Sequence, residues 1–145
     1  RGVLFPLIER APTGIHIANR TASKARDLIR GFSAVAARHR VELSTSSFDA
    51  LGADKFDIII NGTSLGLDGK VPNIPSVVLE GTGCCYDMMY DKSGITAFTR
   101  FSLAHGAARA SDGLGMLVEQ AAEAFYLWHG VRPSTDGVIQ SLRAV

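Results

Sequence analysis

No stretch of this sequence is suited to a bilayer. No apolar run approaches the roughly 20 residues that a membrane span needs, and the opening Arg1-Gly2-Val3 lacks the shape of a signal peptide. Cysteine is scarce, and the two present, Cys84 and Cys85, are neighbours. Adjacent cysteines seldom bridge, and no C-x-x-C spacing exists, so neither a disulfide framework nor a thiolate metal site is indicated. Both read as reduced core residues of a cytoplasmic protein. Charge of either sign is nowhere concentrated: 15 basic against 14 acidic side chains leave a net +1, which indicates no nucleic-acid surface. His16, His39, His105 and His129 share no ligand spacing, so no metal site is expected. Two further absences are more pointed. The chain contains no G-x-G-x-x-G, and no carboxylate lies between Ile15 and Arg26.

What is present is the make-up of a single core: 145 residues, 46% of them hydrophobic, which predicts one domain over 1–145. Strand and helix patterns alternate. Val3 to Arg10 reads as a helix with Val3, Leu4, Leu7 and Ile8 on one face, and Pro6 suits its first turn. Ile15 to Ala18 reads as a strand. Ala22 to Arg38 reads as a helix capped by Thr21 or Ser23, and Val41 to Leu43 as a short strand. Phe48 to Leu51 suggests one helical turn. The β-branched run Phe56 to Ile60 predicts a fully buried strand, and a Gly/Pro-rich loop covers 61–76. Further strands are expected at Gly83 to Asp87 and Ala107 to Ala110, and a helix at Ile95 to His105. The clearest helix runs from Leu114 to Trp128, with Leu117, Ala121 and Phe125 completing its apolar stripe, and Gly130 ending it. Ser134 would cap a last helix reaching about Ala144.

Such alternation predicts an α/β fold: a Rossmann-like, doubly wound, mostly parallel sheet with helices on both faces. Ligands on such sheets sit at the carboxyl ends of the strands. The four strand exits expected here are Asn19-Arg20-Thr21, Asn61-Gly62-Thr63-Ser64, Asp87-Met88-Met89-Tyr90 and Ser111-Asp112-Gly113, all polar or glycine-bearing. At the tip of the second strand of a dinucleotide fold, an acidic residue holds a free ribose 2′-hydroxyl, whereas an arginine forks onto a 2′-phosphate. Here the tip carries Arg20, with Lys24 a helical turn further on, so the chain reads as a binder of NADP rather than NAD. The absent glycine-rich loop and its strand would then lie upstream of Arg1 and outside this chain.

These segments resemble shikimate dehydrogenase. Asn19-Arg20-Thr21, Phe56 through Thr63, Tyr86 through Tyr90, and Asp112 through Ala122 occur in the order and spacing of that family, and the last is the most specific. The resemblance covers essentially the whole chain. It implies the C-terminal NADP-binding domain of an enzyme that reversibly reduces 3-dehydroshikimate to shikimate, in the aromatic amino-acid (chorismate) pathway. C-terminal helices are implied at 113–130 and 134–144. Asn19, Arg20, Thr21 and Lys24 match the pocket for the adenosine 2′-phosphate; Thr63 and Ser64 match the loop lining the cofactor. Met88 and Gly113 match nicotinamide contacts, and Tyr90 and Gln120 match groups that reach the substrate. The family's catalytic lysine and aspartate belong to an N-terminal substrate domain, so no catalytic residue is expected in this chain, which would be inactive alone. The implied partner is a small molecule shared with that N-terminal domain, with no nucleic acid and no membrane, in a monomer or homodimer. A quinate/shikimate variant and a non-catalytic NADP-binding module are the alternatives.

Several of these residues have plain structural readings too. Met89 suits core filling, while the flexible thioether of Met88 suits contact with a planar ring. Gln120 is read as a half-buried amide offset from the helix stripe, in need of a polar partner. Asp112 is read mainly as the cap of the helix that begins near Gly113.

Overall fold

A computed structural model describes residues 1–144. Every strand pairing in it is parallel, as the alternation of strands and helices predicts. The chain falls into two compact units, Arg1–Gly52 with Asn73–Pro75, and Ala53–Pro72 with Ser76–Val145.

The first unit contains α1 (Leu4–Glu9), β1 (Gly14–Ala18), α2 (Ala22–His39) and β2 (Glu42–Ser46). Its core is Leu4, Ile8, Ala36 and Val41, against which Ile15, Ile17, Leu28, Phe32, Val35 and Leu43 pack. The strand period of two sends Ile15 and Ile17 to this core and His16 to the other face. There the His16 ring bonds the hydroxyls of Ser44 (2.9 Å) and Ser46 (2.8 Å) on the paired strand. Those bonds, with Thr45 Oγ1 donating to the Ile17 carbonyl at 2.8 Å, explain why β2 runs past Leu43 into three polar residues. Phe48 to Leu51 forms a turn and no helix.

The second unit contains β3 (Ile58–Asn61), β4 (Cys84–Asp87), α3 (Ala97–Ala104), β5 (Ala110–Ser111), α4 (Leu114–His129) and α5 (Asp136–Ala144). Its sheet order is β3-β4-β5. Val78, Leu79, Cys85, Phe98, Ala107, Leu114, Val118 and Ala122 are its buried apolar residues. Two short 3₁₀ turns, Ser64–Asp68 and Ser76–Leu79, lie within the stretch expected to be loop.

Three further expectations are corrected. β3 is not fully buried: Ile58 is 61% exposed, and among the described residues the strand pairs with β4 alone. A strand with one neighbour lacks the cover that an unbroken apolar run anticipates. The buried face of α4 is Leu114, Val118 and Ala122; the stripe through Leu117, Phe125 and Trp128 is exposed, Trp128 by 78%. This helix carries apolar residues on two faces, and periodicity alone cannot say which is covered. Finally, Thr21 makes no side-chain cap bond to α2. Gly130, in the left-handed region at φ 72°, closes α4 as expected.

Candidate functional site

In the first unit, β1 ends at Ala18 and hands over to α2 through Asn19-Arg20-Thr21. The Asn19 side chain accepts the Thr21 N–H at 2.8 Å. That Asx-type turn fixes the backbone between strand and helix without any cap from Thr21 itself. Arg20, Thr21 and Lys24 are exposed, and the side chains of Arg20 and Lys24 make no hydrogen bond or ion pair among the described residues. Two unpaired cations beside a helix start, with no carboxylate near them in sequence, are chemically suited to an anion such as a phosphate.

In the second unit, the candidate residues hang on a bonded network. Asp87, fully buried at the end of β4, accepts from Asn61 Nδ2 (3.0 Å), the Met89 N–H (3.1 Å) and the Thr96 hydroxyl (2.6 Å). Asn61 in turn accepts the Thr63 N–H at 3.1 Å and its hydroxyl at 2.9 Å. The Asn61 carbonyl accepts the Met88 N–H at 3.0 Å. Thr96 also caps α3, accepting the Thr99 N–H. One carboxyl group thus ties together the ends of β3 and β4 and the start of α3, and sets the backbone at Thr63 and Met88. Ser64 opens the 3₁₀ turn and is exposed.

Glycine is required where β4 meets α4. The Gly113 N–H donates to the Met89 carbonyl at 2.8 Å, and a Cβ at Gly113 would lie 2.3 Å from the Met88 carbonyl oxygen. Met88 Sδ is also 3.3 Å from where a Cβ of Gly62 would stand, so that glycine leaves room for the thioether. Tyr90 is half exposed and Gln120 exposed. The half-buried reading of Gln120 is therefore corrected; it lies outside the packed face of α4.

Asp112 does not cap α4, whose N-cap is Gly113 with no side-chain bond. Its carboxyl group accepts the Asp91 N–H at 3.2 Å and is gripped by the Arg143 guanidinium from α5. Burial, with Asp112 and Asp87 nearby, raises the pKa of Tyr86; its bond to the Met116 backbone opposes the shift. Burial likewise raises that of Cys85. The sequence reading missed Asn61 and Asp87 as organisers. Their signal was available, since each is the polar residue closing an apolar strand.

Parallel strands with polar, glycine-bearing carboxyl ends define the class: a Rossmann-like α/β fold of the kind that binds ligands at those ends. Residues 113–143 match the Shikimate 5'-dehydrogenase C-terminal domain. The NADP(+)-dependent shikimate dehydrogenase of Thioalkalivibrio sulfidiphilus is 50% identical over the whole chain, which covers 51% of that relative. The Ael1 enzyme from Pseudomonas putida is 41% identical, with a TM-score of 0.86 over 97% of this chain and 49% of that one. A shikimate dehydrogenase in complex with NADP+ is 30% identical, with a TM-score of 0.78 over 98% of this chain and 49% of that one. The chain is similar to the C-terminal half of shikimate dehydrogenases, and it spans about half the length of the curated relatives it matches.

Proposed function

We propose that this chain is the NADP-binding part of an enzyme that interconverts 3-dehydroshikimate and shikimate in the cytoplasm. The observation that carries the reading is Arg20: an unpaired guanidinium at the carboxyl end of β1, without a carboxylate between Ile15 and Arg26. Asn19, Arg20, Thr21 and Lys24 would hold the 2′-phosphate. Arg20 can fork onto two phosphate oxygens, while Lys24 offers a point charge. In the second unit, Thr63 and Ser64 would line the cofactor, and Met88 and Gly113 would contact the nicotinamide. Tyr90 and Gln120 are exposed polar groups suited to a substrate. When bound, NADPH supplies the hydride; the residues of this chain bind and orient. The proton-transferring lysine and aspartate belong, by the family resemblance, to the N-terminal domain of the relatives, so residues 1–145 act as the cofactor half of a larger site.

Calorimetric titration of the chain with NADP+ and NAD+ tests this reading. NADP+ should bind at least about tenfold more tightly, a difference of ~1.4 kcal/mol. Equal affinities, or no binding of NADP+, would refute it. With shikimate and NADP+, the chain by itself should form no NADPH at 340 nm.

A further inference from the structure

We infer that Arg143, near the end of α5, is a positioning residue for the nicotinamide end of this site. The inference rests on the assignment of Met88 and Gly113 to that end. Three stretches distant in sequence meet at one guanidinium. Arg143 Nη1 donates to Asp112 Oδ2 at 2.9 Å and to the Asp91 carbonyl at 2.5 Å, while Nη2 pairs with Asp112 Oδ1. The same Asp112 Oδ2 accepts the Asp91 N–H. The arginine therefore closes a ring of bonds between the segment after β4 and the residue that precedes α4.

Next along the chain from Asp112 is Gly113, whose N–H donates to Met89 and where a Cβ would stand 2.3 Å from the Met88 carbonyl oxygen. The spacing between these two proposed nicotinamide contacts is thus set by a clamp that touches neither. The Asp112 side chain is 3% exposed and that of Arg143 30%. Removing the arginine would leave a buried carboxyl group with the Asp91 N–H as its remaining donor, a costly arrangement that the loop would relieve by opening. Gly94 lies beside the clamp: at φ +78° it is in the left-handed region, and a Cβ there would be in ordinary van der Waals contact with the guanidinium carbon, at 3.6 Å. Hydrogen bonding to Asp112 raises the Arg143 pKa, on a guanidinium that is charged in any case.

The test compares two ligands on the full chain: NADP+, and adenosine 2′,5′-bisphosphate, which keeps the phosphate but lacks the nicotinamide. In Arg143→Ala, NADP+ should bind roughly tenfold more weakly, with the bisphosphate unchanged. Arg143→Lys should restore part of the loss, because a point charge reaches one carboxyl oxygen but cannot fork onto both. A merely structural arginine would weaken both ligands alike. An equal loss for both, or a loss for neither, overturns the inference. If Arg143→Ala does not fold, Arg143→Lys carries the test through a smaller, NADP+-selective loss, and its absence is equally fatal. A wild-type chain that binds neither ligand overturns the NADP reading itself, and with it the role given to Arg143.

Discussion

The two units hold their candidate residues in opposite ways. In the first, the candidate residues Arg20 and Lys24 are solvated cations whose side chains hold no partner among the described residues, and only the backbone around them is fixed, by Asn19. In the second, Thr63, Met88 and Gly113 are set by groups already satisfied within the protein, with Asp87 and Asn61 at the centre. Charge left free recognises an anion but contributes little to stability. A buried network fixes geometry, and the fold then depends on it. Substitutions in the first unit should therefore change binding and spare stability, whereas those in the second should affect both.

The strongest challenge to that contrast is Asp87→Ala. It strips partners from Asn61 Nδ2, the Met89 N–H and the Thr96 hydroxyl together. A loss of about 3–5 kcal/mol is expected, from three buried donors left unpaired together, read from urea unfolding. Asp87→Asn should lose less. It keeps the shape and one acceptor oxygen, but its amide nitrogen would face a donor. A near-neutral Asp87→Ala would mean that the network is decoration and that both units are built alike.

Next in size is Gly113→Ala. The new methyl carbon would sit 2.3 Å from the Met88 carbonyl oxygen, a backbone atom that no rotamer change can move. The cost should approach about 3 kcal/mol, the upper part of the overpacking range, and should fall on NADP+ affinity as well as on stability. An alanine variant as stable as the parent would show that the entry to α4 yields easily.

Much of this contrast was legible in the chain and part of it was not. Parallel α/β order followed from periodicity, because Ile15 and Ile17 alternate with a polar residue and Ala22 to Arg38 repeats at helical spacing. The polar strand ends were legible too, since Asn19, Asn61 and Asp87 each close an apolar run. Other features need the third dimension. Asp112 looks like a helix cap from its neighbours, yet its partner is Arg143, 31 residues away. β2 extends through Ser44 and Ser46 because His16 receives them, which no local pattern announces. In α4 two apolar faces compete, and only packing selects Leu114, Val118 and Ala122 over Leu117 and Phe125.

From the first unit, Arg20→Ala should lose roughly 1.5–3 kcal/mol of NADP+ affinity, the worth of a hydrogen bond to a charged group. Its unfolding midpoint should barely move, since an exposed side chain without partners contributes little to the fold. NAD+ affinity, lacking the phosphate contact, should be unchanged. An equal loss for the two coenzymes would assign the arginine to the shared part of the dinucleotide.

The smallest expected effect is a pH dependence confined to the second unit. Burial raises the pKa of Cys85 above the ordinary thiol value of 9.0, with a Ser102 bond opposing and Cys84 adding to the shift. Tyr86 is raised above 10.0, first by burial, then by Asp112. For an acid whose folded pKa is raised, the unfolded chain releases its proton first as pH climbs. The associated stability is therefore complete below the unfolded value and is lost as pH rises through the folded one. Urea midpoints should hold level up to about pH 9 and decline beyond it, as thiol and then phenol ionise more readily in the unfolded chain. Cys85→Ala should remove the first part of that decline and leave the tyrosine part above pH 10. The first unit has neither a cysteine nor a tyrosine, since all of both lie at Cys84 and beyond. The alkaline slope should therefore vanish in the double variant Cys85→Ala, Tyr86→Phe. A slope that survives both substitutions would move the titrating group elsewhere and weaken the division between a charged, adaptable unit and a buried, bonded one.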